Sequence, residues 1–171
     1  MFTLIIGGSA SGKSEYAEQQ VLTLPGQRVY IATLEPWDDE CRKRIRKHQN
    51  TRAQRGFMTL ECYRGLSRLA VPGGSNVLLD GLGNLVAGEL YSPQGRGTAE
   101  ILAGTEHLLE QCCHLTMVAD EVFSDVGKTG IRQSRAHEVV LGYVALSAAG
   151  GQGGTQIGEL RHGDRGVVHD D

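Results

Sequence analysis

The chain begins MFTLIIGGSASGKSEYAE (residues 1–18), and this stretch contains its strongest fold signal. The apolar run Phe2–Ile6 predicts a buried β-strand. Residues Gly7–Ser14 then complete the pattern G-x-x-x-x-G-K-S, and a helix is predicted directly after it. In this order of strand, loop and helix, glycine N–H groups surround phosphate groups and the helix N-terminus adds positive potential. The stretch therefore predicts a phosphate-binding loop for a nucleotide; a plain glycine-rich turn would not require Lys13 and Ser14 together.

A second part of the same site is predicted at the end of another strand. Residues Asn76–Asp80 form an apolar run that ends in an acid, the arrangement in which a carboxylate holds Mg²⁺ behind a phosphate loop. In the loop itself, Lys13 would neutralise the terminal phosphates and the Ser14 hydroxyl would bind the metal. The alternative is that Asp80 only forms a turn, as aspartate often does after a strand.

Length, charge and cysteine content limit the class of protein. The 171 residues suffice for one domain with one core, and the net charge of −3 does not indicate a nucleic-acid-binding surface. No apolar run has membrane-spanning length, and the N-terminal residues lack the pattern of a signal peptide. The four cysteines contain no C-x-x-C pair, so they predict neither a zinc site nor a disulfide framework. We expect a cytoplasmic protein without a nucleic-acid partner or a membrane span.

Strands and helices alternate along most of the chain. Further strands are predicted at Arg28–Thr33, Phe57–Cys62, Asn76–Asp80 and Leu115–Ala119, and helices at Asp38–His48, Leu66–Leu69, Leu82–Leu90, Ala99–Gln111 and Arg132–Ala149. This alternation predicts an α/β fold, a mostly parallel sheet with flanking helices on both faces, as in P-loop NTPases of the RecA-like type. We expect a single domain over residues 1–149 and a divergent, glycine-rich tail over residues 150–171 with no strong strand.

A histidine lies late on the most basic predicted helix. Arg44, His48 and Arg52 are spaced i, i+4 and i+8, so they share one face if the helix continues past His48. These cations would attract a triphosphate, and an imidazole next to an α-phosphate can form a covalent phosphoramidate. The spacing alone nevertheless favours an exposed histidine on a solvated basic face. Glu61 also lies next to an apolar run and is, by default, a surface acid.

Taken together, these segments resemble one family, the bifunctional adenosylcobinamide kinase / adenosylcobinamide-phosphate guanylyltransferases of cobalamin biosynthesis. The resemblance rests on an ordered series over residues 1 to about 125: GGSASGKSEYAE at 7–18, YIAT at 30–33, DDE at 38–40, R-I-x-x-H-x-x-x-R at 44–52, G-F-x-T-x-E-C at 56–62, VLLD at 77–80 with NLV at 84–86, and DEVFSD at 120–125. Such a series is far more specific than any one of its motifs.

The resemblance implies a role for each matching residue. Gly7, Gly8, Ser9, Ala10, Ser11, Gly12, Lys13 and Ser14 would hold the nucleotide phosphates; Ala32, Thr33 and Leu34 would line the nucleotide site; Gln49, Asn50, Thr51 and Arg52 would lie beside bound GTP; and Glu61 and Asp80 would be further nucleotide-contacting acids. His48 would be the guanylylated nucleophile, so the resemblance reverses the interpretation that spacing alone favours. Lys13 would be the second catalytic residue, and Ser14 with Asp80 would hold Mg²⁺.

The resemblance also implies the chemistry and the partners. ATP or GTP would phosphorylate the aminopropanol hydroxyl of adenosylcobinamide, and GTP would then transfer GMP to the histidine and release pyrophosphate. The phosphorylated cobinamide would take up this GMP to give adenosylcobinamide-GDP. Mg²⁺ would be the cofactor, and the chain would form a homo-oligomer, a trimer by resemblance.

The sequence departs from the family pattern at several positions. Asp120 stands where the family has Asn, Asp80 where it commonly has Glu, and Ala53 where many members have Pro. The pattern fades after Asp125, and Gln156–Leu160 is at best a weak remnant of the last strand of the family. This loss of pattern suggests the hypothesis that the C-terminal stretch is out of register with an ancestral reading frame. Two alternatives stay open: another P-loop small-molecule kinase in which His48 takes no part, and a nucleotide-binding protein that has lost turnover.

Overall fold

The structure is a computed structural model that describes residues 1–8, 10–120 and 155–160, with Arg44 and the last segment described by their backbone alone. The strands are β1 (Phe2–Gly7), β2 (Arg28–Ala32), β3 (Phe57–Glu61), β4 (Asn76–Asp80), β5 (His114–Asp120) and β6 (Thr155–Leu160). The helices are α1 (Lys13–Leu22), α2 (Asp39–Gln54), α3 (Leu82–Tyr91) and α4 (Thr98–Gln111), with a short 3-10 helix at Leu66–Arg68. Within these ranges, no helix has the length and apolar character needed to cross a membrane.

All the described strands join one parallel sheet in the order β3-β2-β4-β5-β1-β6. The register aligns the carboxyl ends of the central strands, because Gly7 pairs with Asp120 and Ala32 pairs with Asp80. Open α/β sheets bind their ligands at this edge. The α/β fold predicted from the alternation of strands and helices is confirmed.

Helices cover the sheet on both faces. Neighbouring residues of β1 point to opposite sides, so Leu4 joins the apolar cluster of α3 and α4, whereas Ile5 joins that of α1. Ile101 and Leu108 of α4 are fully buried in the first cluster, and Val21 of α1 is fully buried in the second. Each such side chain contributes about 1.5–3 kcal/mol by its burial. The two layers therefore fix α1, and with it the preceding loop, against the sheet.

Helix α2 is longer than predicted. It begins after Asp38, whose carboxylate accepts a hydrogen bond from a first-turn amide at 2.6 Å, and acidic residues in its first turn complement the helix dipole. The sequence predicts an end near His48, but the helix continues to Gln54 because no glycine or proline interrupts it before Gly56. His48 therefore lies within the helix, one turn before Arg52.

The sequence predicts at best a weak remnant of a strand at Gln156–Leu160, but the structure has a regular strand there. This segment forms β6, which pairs in parallel with β1 from Phe2 opposite Thr155 to Gly7 opposite Leu160. A strand at the edge of a sheet needs no continuous apolar run, because the backbone of its neighbour supplies the pairing. The helix predicted at 132–149 lies outside the described residues.

Candidate active site

A cavity of about 440 Å³ opens at the carboxyl edge of the sheet. It lies where the ends of β2, β4 and β5 meet the start of α1 and one face of α2. These elements, the segments that follow β2 and β4, and the start of α3 supply its described lining: Lys13, Ser14, Tyr30, Ala32, Thr33, Leu34, Ile45, His48, Gln49, Arg52, Asp80, Gly81, Asn84, Val118 and Asp120. We call this space the nucleotide cavity, because it adjoins the loop whose sequence predicts phosphate binding.

The loop before α1 has open space at its glycines. Gly12 has a φ of 85°, a left-handed conformation that favours glycine, and α1 begins at the next residue. A Cβ atom at Gly8 or Gly12 would meet no heavy atom of the described residues within 4 Å, so the described part of the chain leaves the space beside both glycines open. The Ser11 hydroxyl is buried and has no hydrogen-bond partner among the described residues. A phosphate oxygen would satisfy this hydroxyl together with the free N–H groups of the first turn of α1.

Lys13 is held between the loop and the end of β5. Its ammonium group donates to the Gly8 carbonyl at 3.1 Å and forms an ion pair with Asp120 at 2.7 Å. The lysine side chain is only 12% exposed, whereas that of Asp120 is 61% exposed. Phosphate groups that enter the cavity would therefore compete with a solvated carboxylate for the lysine charge.

Asp80 connects three side chains at the end of β4. Its Oδ1 accepts a hydrogen bond from the Ser14 hydroxyl at 3.0 Å, and its Oδ2 accepts one from the Tyr30 hydroxyl at 3.0 Å. A guanidinium nitrogen of Arg52 lies 3.7 Å from the same Oδ2. The pKa of Tyr30 is raised, chiefly by burial and secondly by the nearby Asp80 carboxylate. The phenol therefore keeps its proton and remains a donor. Ser14 and Asp80, the two residues expected to hold Mg²⁺, are thus in direct contact.

Arg52 brings a positive charge from α2 into the nucleotide cavity. Its guanidinium carbon lies 3.7 Å from the centre of the Tyr30 ring, which is a cation–π contact. Its Nε donates to Glu18 of α1 at 2.7 Å, and the second oxygen of Glu18 accepts from Arg55 at 2.6 Å. The guanidinium group is therefore fixed by a ring face, by Glu18 and by Asp80.

His48 is exposed on the face of α2 that borders the cavity. The next residue, Gln49, also lines the cavity and donates to Glu61 of β3 at 2.8 Å. Glu61 accepts a second hydrogen bond from the Tyr63 hydroxyl at 2.6 Å. Burial and this contact with Glu61 raise the pKa of Tyr63, which keeps the phenol protonated as a donor. Glu61 thereby holds Gln49 beside the histidine without lining the cavity itself.

A second cavity of about 520 Å³ begins on the other side of Glu61. The charged residues in the described part of its lining are three arginines and two glutamates: Arg64, Arg68, Arg96, Glu61 and Glu89. Glu89 is buried and accepts backbone hydrogen bonds from Gly65 at 2.6 Å and from Arg96 at 2.7 Å. Its carboxylate is thus engaged by the loops around it. The Gln49–Glu61 hydrogen bond joins a residue that lines the nucleotide cavity to one that lines this second cavity.

The structure brings most of the predicted site residues together. The lining of the nucleotide cavity includes Lys13, Ser14, Ala32, Thr33, Leu34, His48, Gln49, Arg52 and Asp80, and the loop residues Gly7, Gly8, Ala10, Ser11 and Gly12 precede α1. Ser9 lies outside the described residues. Asn50, Thr51 and Glu61 lie outside the described lining, and the Thr51 hydroxyl donates at 3.0 Å to a carbonyl of its own helix.

The sequence patterns favour core packing over base stacking for Tyr30, and they do not single out the remaining lining residues Ile45, Gly81, Asn84, Val118 and Asp120. Asp120 carries a usable signal, because it ends β5 in register with Gly7, at the edge where Asp80 ends β4. Tyr30 carries no such signal, because a tyrosine within an apolar strand more often packs in the core.

Comparison with known proteins shows the family. The family described as cobinamide kinase / cobinamide phosphate guanyltransferase (CobU) matches residues 3–149, farther than the point near residue 125 at which the pattern is expected to fade. The chain is also similar to the bifunctional adenosylcobalamin biosynthesis protein CobU of Salmonella typhimurium (strain LT2), with 34% identity over 103 residues. This stretch covers 58% of the chain and 56% of the relative, so the chain spans about half the length of the curated relative it matches. Because the family match covers most of its residues, the chain belongs to the cobinamide kinase / cobinamide phosphate guanyltransferase family.

Proposed function

We propose that this chain catalyses two reactions in the nucleotide cavity. The first is phosphoryl transfer from ATP or GTP to adenosylcobinamide, and the second is GMP transfer from GTP to adenosylcobinamide phosphate through His48. The observation that carries this proposal is that Lys13 and Ser14 of the phosphate loop line the same cavity as His48 of α2. A kinase needs the phosphate loop, and a histidine in the same cavity adds the nucleophile that a covalent guanylyl intermediate requires. Family membership supports the class of acceptor.

In the kinase step, the loop binds the triphosphate and stabilises the charge on the phosphoryl group in transfer. Lys13 exchanges Asp120 for the β- and γ-phosphates, and the first turn of α1 supplies N–H donors. The acceptor oxygen forms a bond to the γ-phosphorus, and the bond from this phosphorus to the bridging oxygen breaks. The nucleoside diphosphate leaves, and the proton of the acceptor hydroxyl goes to solvent.

The oxygen atoms beside the loop suit Mg²⁺. Ser14 Oγ and Asp80 Oδ1 are hard donors that lie 3.0 Å apart, and proteins usually hold this ion by one or two oxygens together with substrate phosphates and water. Over the described ranges, no group of three or more His, Cys, Asp or Glu side chains forms a cage for a metal. Ser14 and Asp80 would therefore hold Mg²⁺ jointly with the nucleotide, where it would neutralise charge on the phosphate oxygens.

In the guanylyl step, an imidazole nitrogen of His48 attacks the α-phosphorus of GTP. The nitrogen–phosphorus bond forms, the bond to the oxygen bridging to the β-phosphorus breaks, and pyrophosphate leaves. The imidazole releases its remaining N–H proton to solvent, which leaves a neutral ring bonded to a phosphoryl group that carries one negative charge. A phosphate oxygen of the phosphorylated cobinamide then attacks the same phosphorus, and the histidine leaves with the bonding electrons and takes up a proton. Lys13 and Arg52 stabilise the negative charge on the phosphorus oxygens.

Product analysis with two variants tests the proposal. Purified protein is incubated with adenosylcobinamide, GTP and Mg²⁺, and the corrinoid products are separated and identified by mass. Lys13→Ala is expected to lower both products by at least about 10²-fold, because the phosphate loop serves both steps. His48→Ala is expected to keep phosphorylation within about threefold of wild type and to abolish the GMP-bearing product.

His107 of α4, which lies outside the described lining of the nucleotide cavity, provides the matched control. His107→Ala is expected to form both products at the wild-type rate. A His48→Ala variant that still makes the GMP-bearing product would contradict the histidine route and leave a kinase in which His48 takes no part. A wild-type protein that binds GTP but forms neither product would contradict both activities.

A further inference from the structure

A buried carboxylate joins the two helices on which the proposed chemistry depends. Glu18 lies on α1, one turn after Ser14, and is 6% exposed. Its Oε1 accepts from Arg52 at 2.7 Å, and its Oε2 accepts from Arg55 at 2.6 Å. Helix α1 follows the phosphate loop, whereas both arginines lie at the C-terminal end of the helix that carries His48. Glu18 itself lies outside the described lining of the nucleotide cavity.

The contacts of Arg52 show what Glu18 controls. A guanidinium group is planar and rigid, so fixing its Nε edge sets the direction of its remaining N–H groups. Glu18 fixes the Nε edge, the Tyr30 ring lies against the face at 3.7 Å, and Asp80 lies 3.7 Å from the outer nitrogen. Because Arg52 is one turn from His48 on α2, the same contacts set the position of the histidine over the loop.

We infer that Glu18 is a positioning residue for guanylyl transfer, which acts by holding Arg52 and Arg55 and thereby placing His48 against the α-phosphate of GTP. This inference rests on the proposed function. A buried ion pair adds little to stability compared with well-packed apolar residues of the same volume, so its main effect here is on geometry. The kinase step depends on the phosphate loop rather than on α2, so it is far less sensitive to Glu18.

The test compares the two reactions in the Glu18→Gln variant. At saturating GTP, the rate of GMP transfer to His48 is expected to fall by roughly 10²-fold, because a displacement of about 1 Å suffices for such a loss. Phosphoryl transfer to adenosylcobinamide is expected to stay within about threefold of wild type. Glu18→Asp keeps the charge with a shorter reach, so it is expected to recover part of the lost transfer rate.

Arg55 offers a second variant that leaves the cavity lining intact. Its side chain is 39% exposed and forms an ion pair with Oε2 of Glu18. Arg55→Gln is expected to slow GMP transfer by roughly three- to tenfold, since Arg52 keeps its own hydrogen bond to Glu18. Arg42→Gln is the matched control, because it removes an arginine from the other end of α2, where the partner is the exposed Asp39 at 3.1 Å. This control is expected to transfer GMP to His48 at the wild-type rate.

Backbone hydrogen exchange gives a readout that does not need activity. Glu18→Gln is expected to speed exchange in the second half of α2 and to leave β4 and α4 unchanged. The inference would be overturned if Glu18→Gln slowed both reactions to the same extent. It would also be overturned if this variant transferred GMP to His48 at the wild-type rate and its α2 amides exchanged at the wild-type rate. If wild-type protein takes up no GMP, the proposed function itself is contradicted. If wild-type protein and Glu18→Gln take up GMP equally fast, only the inference about Glu18 is contradicted.

Discussion

Asp80 is the residue on which the polar contacts of the nucleotide cavity converge, since it accepts from Ser14 and Tyr30 and pairs with Arg52. Asp80→Asn removes the anionic ligand expected for Mg²⁺ and leaves the Arg52 charge less compensated. We predict that both reactions fall by roughly 10²-fold and that the Mg²⁺ concentration for half-maximal rate rises. Metal titration of the phosphorylation rate measures this; an unchanged half-maximal concentration would contradict a metal role for Asp80.

Asp120 competes with nucleotide phosphates for Lys13, because its carboxylate pairs with the lysine ammonium group at 2.7 Å. A nucleotide must displace this carboxylate, which is 61% exposed, and an exposed ion pair of this kind contributes up to about 1 kcal/mol. Asp120→Asn is therefore predicted to bind GTP about fivefold more tightly, as measured by calorimetry. Asp39→Asn removes the same charge from the exposed start of α2 and should bind as wild type. Weaker binding by Asp120→Asn would show that the nucleotide needs this acid.

The sequence predicts these residue contacts unevenly. Ser14 and Asp80 are predicted as partners because each lies at the carboxyl end of a parallel strand or just after it, and such ends meet at one edge of the sheet. Glu18 is not predicted, because its partners Arg52 and Arg55 lie 34 and 37 residues away on a helix whose packing angle is set by tertiary contacts. No local pattern encodes such a pairing.

At the scale of the element, the pairing of β1 with β5 contains a pH-sensitive residue. His114 at the start of β5 shares a hydrogen bond of 2.9 Å with the Thr3 hydroxyl. Burial, and after it the nearby N-terminal amino group, lower the pKa of His114 below its ordinary value of 6.5. As the pH falls below about 6.5, the unfolded chain therefore binds a proton before the folded protein does, and the free energy of unfolding decreases.

We predict that His114→Gln loses less stability than wild type between about pH 7 and about pH 5, because glutamine keeps a polar partner for Thr3 without titrating. Urea unfolding at a series of pH values measures the effect, and the two proteins should differ little above about pH 7. Equal loss of stability in both proteins would show that burial of His114 does not contribute to acid sensitivity.

Two elements differ from their predictions for physical reasons. Helix α2 exceeds its predicted end at His48 because basic residues tolerate helix and no breaker follows until Gly56. Strand β6 is predicted only as a weak remnant at 156–160, because Thr155–Leu160 lacks an apolar run and its pairing comes from the free edge of β1. By contrast, β4 matches its prediction at Asn76–Asp80, since a buried central strand must be apolar on both faces.

At the scale of the whole molecule, the fold class is predictable because alternation of strand and helix leaves few ways to bury both faces of a sheet. The strand order is not predictable in the same way, since the placement of β3 at one edge and β6 at the other depends on tertiary packing. Within that order, β1 lies between β5 and β6 and leads directly into the phosphate loop.

Removal of residues 150–171 tests whether these residues are a dispensable tail. The truncation deletes β6. Strand β1 then keeps its pairing with β5, but its other side becomes an open edge of the sheet. Loss of several strand hydrogen bonds should cost at least about 2 kcal/mol, which lowers Tm by roughly 4–8 °C, and the open edge should promote association. Thermal unfolding and size-exclusion chromatography measure both effects. Unchanged Tm and elution would support a domain that is complete at residue 149.

In the proposed mechanism GTP leaves its GMP on His48 inside the nucleotide cavity, and GTP labelled at the α-phosphate tests this claim. With Mg²⁺ and no acceptor, wild-type protein and the His107→Ala control are predicted to take up label that is labile in acid and stable in alkali, as a phosphoramidate is. The His48→Ala variant is predicted to bind GTP and to remain unlabelled. Label retained by His48→Ala, or absent from wild-type protein that demonstrably binds GTP, would contradict the claim.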